Sequence, residues 1–188
     1  MTLAFRRASR EDVPVIVRLL AQDMLGATRE IGGAEVDDVY WTAFDAVDSD
    51  PNQLLVVAES EGKVVGTLQL SFIPGLSRRG AWRAQIEAVR VDSARRGAGL
   101  GSRLIGYAVD EARRRGCGLV QLTTDRRRSE AHAFYERLGF ESTHLGMKMS
   151  LLPAPGPDLP RVEPAAVRLR AGRARDPGRR LPRGSPPI

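Results

Sequence analysis

The stretch from Ile86 to Ile105, IEAVRVDSARRGAGLGSRLI, holds the residues of this 188-residue chain whose types and spacing best suit chemistry. It reads as a strand, a basic glycine-rich loop and then an amphipathic helix. The first turn of a helix leaves about four backbone N–H groups without partners and carries partial positive charge, so a phosphate placed there satisfies both. Gly97, Gly99 and Gly101 let the backbone approach a diphosphate with no Cβ in the way, and Arg95 and Arg96 add charge beside it. Taken alone, the same loop also reads as a tight strand-to-helix turn with solvated arginines, so the rest of the chain must decide.

A dinucleotide-binding reading fits less well. The glycines are spaced GxGxG rather than GxGxxG, although Asp125 lies downstream near where a ribose-binding carboxylate would sit. The upstream strands look like hairpins rather than βαβ units, and no GK[ST] triplet offers a Walker loop. Cys117 is the only cysteine, and with only His132 and His144 besides, no metal site is predicted. Cys117 follows Gly116 at a helix-to-strand junction and reads as a small core hydrophobe.

The elements that must position the loop follow from periodicity. Leu3 to Arg7 suits a short strand. Ser9 and Asp12 form a helix-start box ahead of Val13, Ile16, Val17 and Leu20, which predicts a helix to about Leu25. A second helix is expected from Glu35 to Val47. Leu54 to Glu59 and Val64 to Phe72 read as a hairpin, and the polar segment Pro74 to Gly80 leads into a strand from Trp82 to Val91. Leu100, Leu104, Ala108 and Ala112 step by four along a helix that Gly116 stops. Leu119 to Thr123 is a buried-strand run, Ser129 can cap a helix carrying Ala131, Phe134, Tyr135 and Leu138, and Phe140 to Leu151 is expected to supply the last strands.

At this point the residues resemble the GNAT acetyltransferases. The acetyl-CoA signature of that family, [RQ]xxGx[GA] between the fourth strand and third helix, is matched by Arg96, Gly99 and Gly101 in RGAGLG. A second match, AHAFYERLGF from Ala131 to Phe140, resembles the later helix and turn whose tyrosine lies beside the coenzyme's sulfur; here that residue is Tyr135. The resemblance covers about residues 3 to 151 in strand and helix order, so residues 1–151 are expected to form one such domain and 152–188 a tail outside it. It implies an α/β fold, of mixed α+β type, with a central mixed, largely antiparallel sheet. About four helices should flank that sheet, and its strands 4 and 5 should splay into a V. It also implies that backbone groups of Ala88, Val89 and Val91 pair with the pantetheine arm, while those of Arg96, Gly97, Ala98, Gly99, Leu100, Gly101 and Ser102 hold the pyrophosphate.

The activity so implied is transfer of the acetyl group of acetyl-CoA to a primary amine of a small molecule or peptide, by direct attack in a ternary complex. Such a reaction needs a deprotonated amine and an acid for the leaving thiolate. Tyr135 is the expected acid, although packing against Phe134 and Leu138 is the plainer role for it. Glu87 is the expected base, directly or through a water relay; a strand-surface carboxylate is the alternative. Asp125 and His132 read as turn and helix-surface residues, and Arg126, Arg127 and Arg128 as a charge run that can reach a ribose phosphate. The acceptor pocket is expected from the first two helices and the Pro74-to-Gly80 loop, with Arg29, Glu30, Tyr40, Trp41, Trp82 and Arg83 available. An acetyl-CoA-binding sensor without turnover is the competing reading, and the family also allows a homodimer.

The formal net charge is +6, but eight arginines and three carboxylates after Leu152 place most of it in a tail with nine prolines and little periodicity. That tail is predicted to be disordered, and without interleaved aromatics for base stacking it argues against nucleic acid. No apolar run approaches the roughly 20 residues that span a bilayer, and the first residues lack a signal-like apolar stretch, so a cytoplasmic location is expected. A chain truncated after Leu152 should keep its thermal midpoint and show no loss of RNA retention on an affinity column; loss of retention with the fold intact would assign the tail to nucleic acid.

Overall fold

Ser9 and Asp12 fix where the first strand ends and the first helix begins. The Asp12 carboxylate accepts the Ser9 backbone N–H at 2.7 Å and the Ser9 hydroxyl at 3.0 Å, and the Arg6 guanidinium grips both of its oxygens at 2.6 and 3.0 Å. In this computed structural model, which describes residues 3–22 and 36–151, β1 is Leu3–Arg7, a 3-10 turn spans Arg10–Asp12, and α1 is Val13–Ala21. Pro14 sits in the first turn of α1, where its missing N–H costs nothing. The expected continuation of α1 to Leu25 lies outside the described residues.

The second helix, α2, runs Asp38–Ser49, three residues later at its start than the spacing predicts. Asp37 explains the shift, because its side chain accepts the Val39 N–H at 3.1 Å and so caps the helix there. β2 (Gln53–Ser60) and β3 (Lys63–Ile73) form the expected hairpin, with Glu61 and Gly62 both at positive φ, the geometry of a tight primed turn. Arg78, Arg79 and Gly80 then make one left-handed turn before β4 (Trp82–Val91). α3 is Leu100–Arg114, β5 is Cys117–Leu122 and α4 is Ser129–Arg137. Arg128 rather than Ser129 precedes the first turn of α4, and no side chain caps it.

The strands form one five-stranded sheet in chain order, antiparallel throughout except for a parallel β4–β5 pair. Period-two alternation divides its residues between two layers. Val56 and Ala58 of β2, Leu68 and Leu70 of β3 and Ile86 of β4 pack against Leu104, Ile105 and Ala108 of α3. On the other face Val57 meets Val13, Ile16 and Val17 of α1 and Phe44 of α2. Glu111 is buried in the α3 layer and ion-paired to Arg114 and Arg115. Among the described residues no helix is long and apolar enough to cross a membrane.

The expectation of closing strands over Phe140 to Leu151 is not met. Residues 141–151 carry no strand assignment and are exposed, although Leu145, Met147, Met149 and Leu151 alternate as a strand face would. Alternation makes a strand only where a neighbouring backbone supplies the ladder, and β5 makes its ladder with β4 alone.

Arg6 holds the Asp12 carboxyl below its ordinary value of 3.8, the hydrogen bonds from Ser9 adding to the effect. This contribution to stability is therefore complete above about pH 4 and fades as the pH falls through the lowered value. Asp12→Asn should cost about 2 kcal/mol in urea unfolding at pH 7 and less as the pH is lowered below 4. A loss independent of pH would contradict that origin.

Candidate active site

The β4–β5 ladder runs from Trp82 opposite Cys117 to Ile86 opposite Leu122 and goes no further, while β4 itself continues to Val91. Next to its last rung, Gln121 Nε2 donates to Gln85 Oε1 at 2.7 Å, a side-chain bond that clamps the two strands at the point of divergence. Beyond it the edge of β4 faces no strand among the described residues. This is the splay that the resemblance implies.

β4 also changes parity here. Thr67 pairs with Arg90 and Gln69 with Glu87, so Leu68 faces two residues, Ala88 and Val89. Ala88 takes φ 52°, a left-handed value uncommon for alanine, and this is a β-bulge. Ala84 and Ile86 face the α3 layer before it; Val89 and Val91 face that layer after it. Gly66 lies across from Val91, and a Cβ there would lie 3.0 Å from the Arg90 carbonyl oxygen, so only glycine fits without displacement.

After β4, the Asp92 N–H donates to the Val65 carbonyl at 2.9 Å and the Asp92 side chain accepts the Ala94 N–H at 3.0 Å, which anchors the loop. Gly97 and Gly99 adopt φ 81° and 73°, and nothing lies within 4 Å of a Cβ built on either. Their need for glycine is conformational, and the space above them is open. Gly101 differs, because a Cβ there would lie 3.3 Å from the Phe134 ring, so its role is to let α3 pack on α4. Arg95 reaches Glu61 at 4.0 Å.

Two cavities flank the bulge. One, about 140 Å³, is lined by Val89, Arg90, Val91, Arg96 and Arg128 and is cationic. The other, about 130 Å³, lies between the sheet and the first two helices, is lined by residues that include Ile16, Val17, Tyr40, Phe44 and Leu55, and is apolar. Adjacent residues of the bulge separate them, since Ala88 lines the apolar cavity and Val89 the cationic one.

The sequence profile of the Acetyltransferase (GNAT) family matches residues 18–140. The chain belongs to the GNAT acetyltransferase family. An aminoalkylphosphonate N-acetyltransferase of Salmonella typhimurium is 31% identical over 147 residues, 78% of this chain and 90% of its own. A glucosamine 6-phosphate N-acetyltransferase of Trypanosoma brucei brucei is 37% identical over 90 residues, 48% of this chain and 59% of its own. The crystal structure of a protein from Bacillus halodurans C-125, described as a transcriptional regulator, superposes with a TM-score of 0.77 at 44% identity, covering 79% of this chain and 99% of that one.

Within this GNAT frame the expected acid and base lie on different layers. Tyr135 is half-buried on α4, its ring edge-on to Phe134 at 5.1 Å and to Phe140 at 5.9 Å. Burial pushes its phenol above the ordinary value of 10, while Arg128 and Arg90, both lining the cationic cavity, pull the other way. Glu87 is exposed. It stands opposite Gln69 in the ladder, so both leave the same sheet face, and Gln69 lines the apolar cavity.

Other expected residues are placed elsewhere. Of the three arginines 126–128, Arg128 lines the cationic cavity and Arg127 pairs with Asp125 at 2.9 Å. His132 Nε2 donates to the Asp125 carbonyl at 2.9 Å, so these two residues knit the turn before α4. Tyr40 lines the apolar cavity, but Trp41 lies under Arg10 at 4.9 Å. Trp82, Arg83 and the Pro74-to-Gly80 loop sit at the far end of β4, about 20 Å from Ala88 at roughly 3.3 Å per residue, and so cannot line a pocket at the bulge. Arg29 and Glu30 lie outside the described residues.

Sequence reasoning missed Arg90 and the bulge. The signal was there in the apolar parity of β4, which is even at Ala84 and Ile86 and odd at Val89 and Val91. A spectrophotometric phenol titration of the parent minus that of Tyr135→Phe should give a midpoint above pH 10, and Arg128→Gln should move it higher still. A midpoint below 10 would contradict the burial of the phenol.

Proposed function

We propose that this GNAT protein transfers the acetyl group of acetyl-CoA to the primary amine of a small molecule or peptide, by direct attack in a ternary complex. The observation that carries this reading is the position of the bulge, at the mouth of the β4–β5 gap and between a cationic and an apolar cavity. A phosphate-bearing co-substrate with a thioester at its far end suits the first cavity, and an amine reaching the thioester suits the second. The named relatives, both N-acetyltransferases, support the reaction class.

The thioester supplies the acetyl group. The free backbone edge of β4 at Ala88, Val89 and Val91 holds an extended amide-bearing arm as a neighbouring strand would. Backbone N–H groups from Arg96 through Gly97, Ala98, Gly99, Leu100 and Gly101 to Ser102, with the Arg96 and Arg128 guanidiniums, hold the diphosphate. Glu87, directly or through water, takes a proton from the ammonium. The amine nitrogen then bonds the acetyl carbon, the carbon–sulfur bond breaks, the Tyr135 hydroxyl protonates the departing thiolate, and the proton that the acylated nitrogen sheds as it becomes the amide restores the phenol.

One observation favours a second reading, binding of acetyl-CoA as a signal without turnover: the Bacillus halodurans relative is described as a transcriptional regulator. Acetyl-CoA-dependent thiol release over a panel of amines separates the two. Tyr135→Phe should lower kcat well over tenfold with coenzyme affinity nearly unchanged, and Glu87→Gln should alter the acidic limb of the pH–rate profile. An unchanged kcat in the first would remove the acid role, and an identical limb in the second would assign the base elsewhere.

A further inference from the structure

The two named enzyme relatives act on phosphonate- or phosphate-bearing amines, and such acceptors need cations where their anionic group sits. Among the described lining residues of the apolar cavity there is none. Its described lining is aliphatic and aromatic apart from Tyr40, Thr67 and Gln69, and contains no Lys, Arg, His, Asp or Glu. The Thr67 hydroxyl is already spent on the Val56 carbonyl at 2.8 Å. The Gln69 amide nitrogen donates to Gln53 Oε1 at 2.9 Å, which leaves its carbonyl oxygen as an acceptor on the wall.

Resting on the acetyltransferase reading above, we propose that the acceptor is a primary amine carrying a compact, uncharged apolar group, such as an arylalkylamine or a branched alkylamine. Four observations converge on this class. The volume, about 130 Å³, is close to that of a dry cavity of about 150 Å³ that takes a benzene ring. The walls come from α1, α2 and the sheet, with Val17 and Phe44 buried and Leu55 partly so, and they offer an apolar surface to such a group. Ala88 lines this cavity and Val89 the cationic one, so a group seated between the helices directs its nitrogen toward the gap where an acetyl donor would end. The Gln69 carbonyl oxygen and the Glu87 carboxylate leave the sheet on that same face, the first to accept an amine N–H and the second to take its proton. Arg90, opposite Thr67 in the ladder, lines the cationic cavity and not this one, so a phosphate seated here would lose water with no cation among the described lining residues to replace it.

The test compares phenethylamine and isoamylamine with 2-aminoethylphosphonate and glucosamine 6-phosphate in acetyl-CoA-dependent thiol release by the full chain. The expected result is a kcat/KM for the apolar amines at least tenfold above that for either anionic acceptor. Equal or better turnover of an anionic acceptor overturns the proposal, as does binding of coenzyme A with neither apolar amine acetylated. Failure to bind coenzyme A at all overturns the acetyltransferase reading instead, which keeps the two failures distinct. As a second measurement, Ala43→Phe, which fills the cavity from α2, should reduce kcat/KM for phenethylamine about tenfold with coenzyme A affinity unchanged. An unaltered kcat/KM in that variant places the amine elsewhere.

Discussion

The parting of β4 from β5 after Ile86 and Leu122 is the constraint on which the rest of the molecule depends. A strand that loses its neighbour presents backbone N–H and C=O groups that must find other partners or face water. Here those groups belong to a strand whose other edge is laddered to β3 on both sides of the bulge, so the free edge is held in place. The bond between Gln85 and Gln121 fixes where the gap opens, and the bulge at Ala88 turns the strand as it enters it.

The two sides of the sheet then do different work. Arg96 of the loop before α3 and Arg128 before α4, with Arg90, line a cationic space; toward α1 and α2, the walls are apolar. Tyr135 is subject to both influences, because burial disfavours its phenolate while Arg128 and Arg90 favour it, and burial prevails. The phenol therefore stays protonated at neutral pH, the state that a proton donor to a thiolate requires. Gly97 and Gly99 give the loop its left-handed turns, and Gly101 lets α3 pack against Phe134.

Much of this was legible in the sequence, and the failures have physical causes. Amphipathic spacing located α1 and α3 because each buries one face against the sheet, and α4 because Phe134 and Tyr135 pack, partly buried, against the core; the hairpin of β2 and β3 followed from its turn residues. The strand–loop–helix segment was readable because glycine and arginine types there answer to local needs. The bulge was not read, since alternation was taken as continuous through Ala88. Arg90 was missed for the same reason, a one-residue parity change having moved it to the other face. Tyr40 on α2 lines the apolar cavity, whereas Trp82 and Arg83 sit at the opposite end of β4 from the bulge; chain proximity to a strand says nothing about which end of it a residue occupies. Residues Phe140 to Leu151 have strand periodicity, yet periodicity records only a preference of faces and not the partner that a ladder requires.

The central claim is that the gap beside β4 and the start of α3 together hold a coenzyme A thioester. Calorimetric titration of the purified chain with coenzyme A at two salt concentrations measures this directly. One molecule should bind per chain, with affinity falling as salt is raised because cationic groups meet phosphates. No heat of association at millimolar coenzyme A would contradict the account.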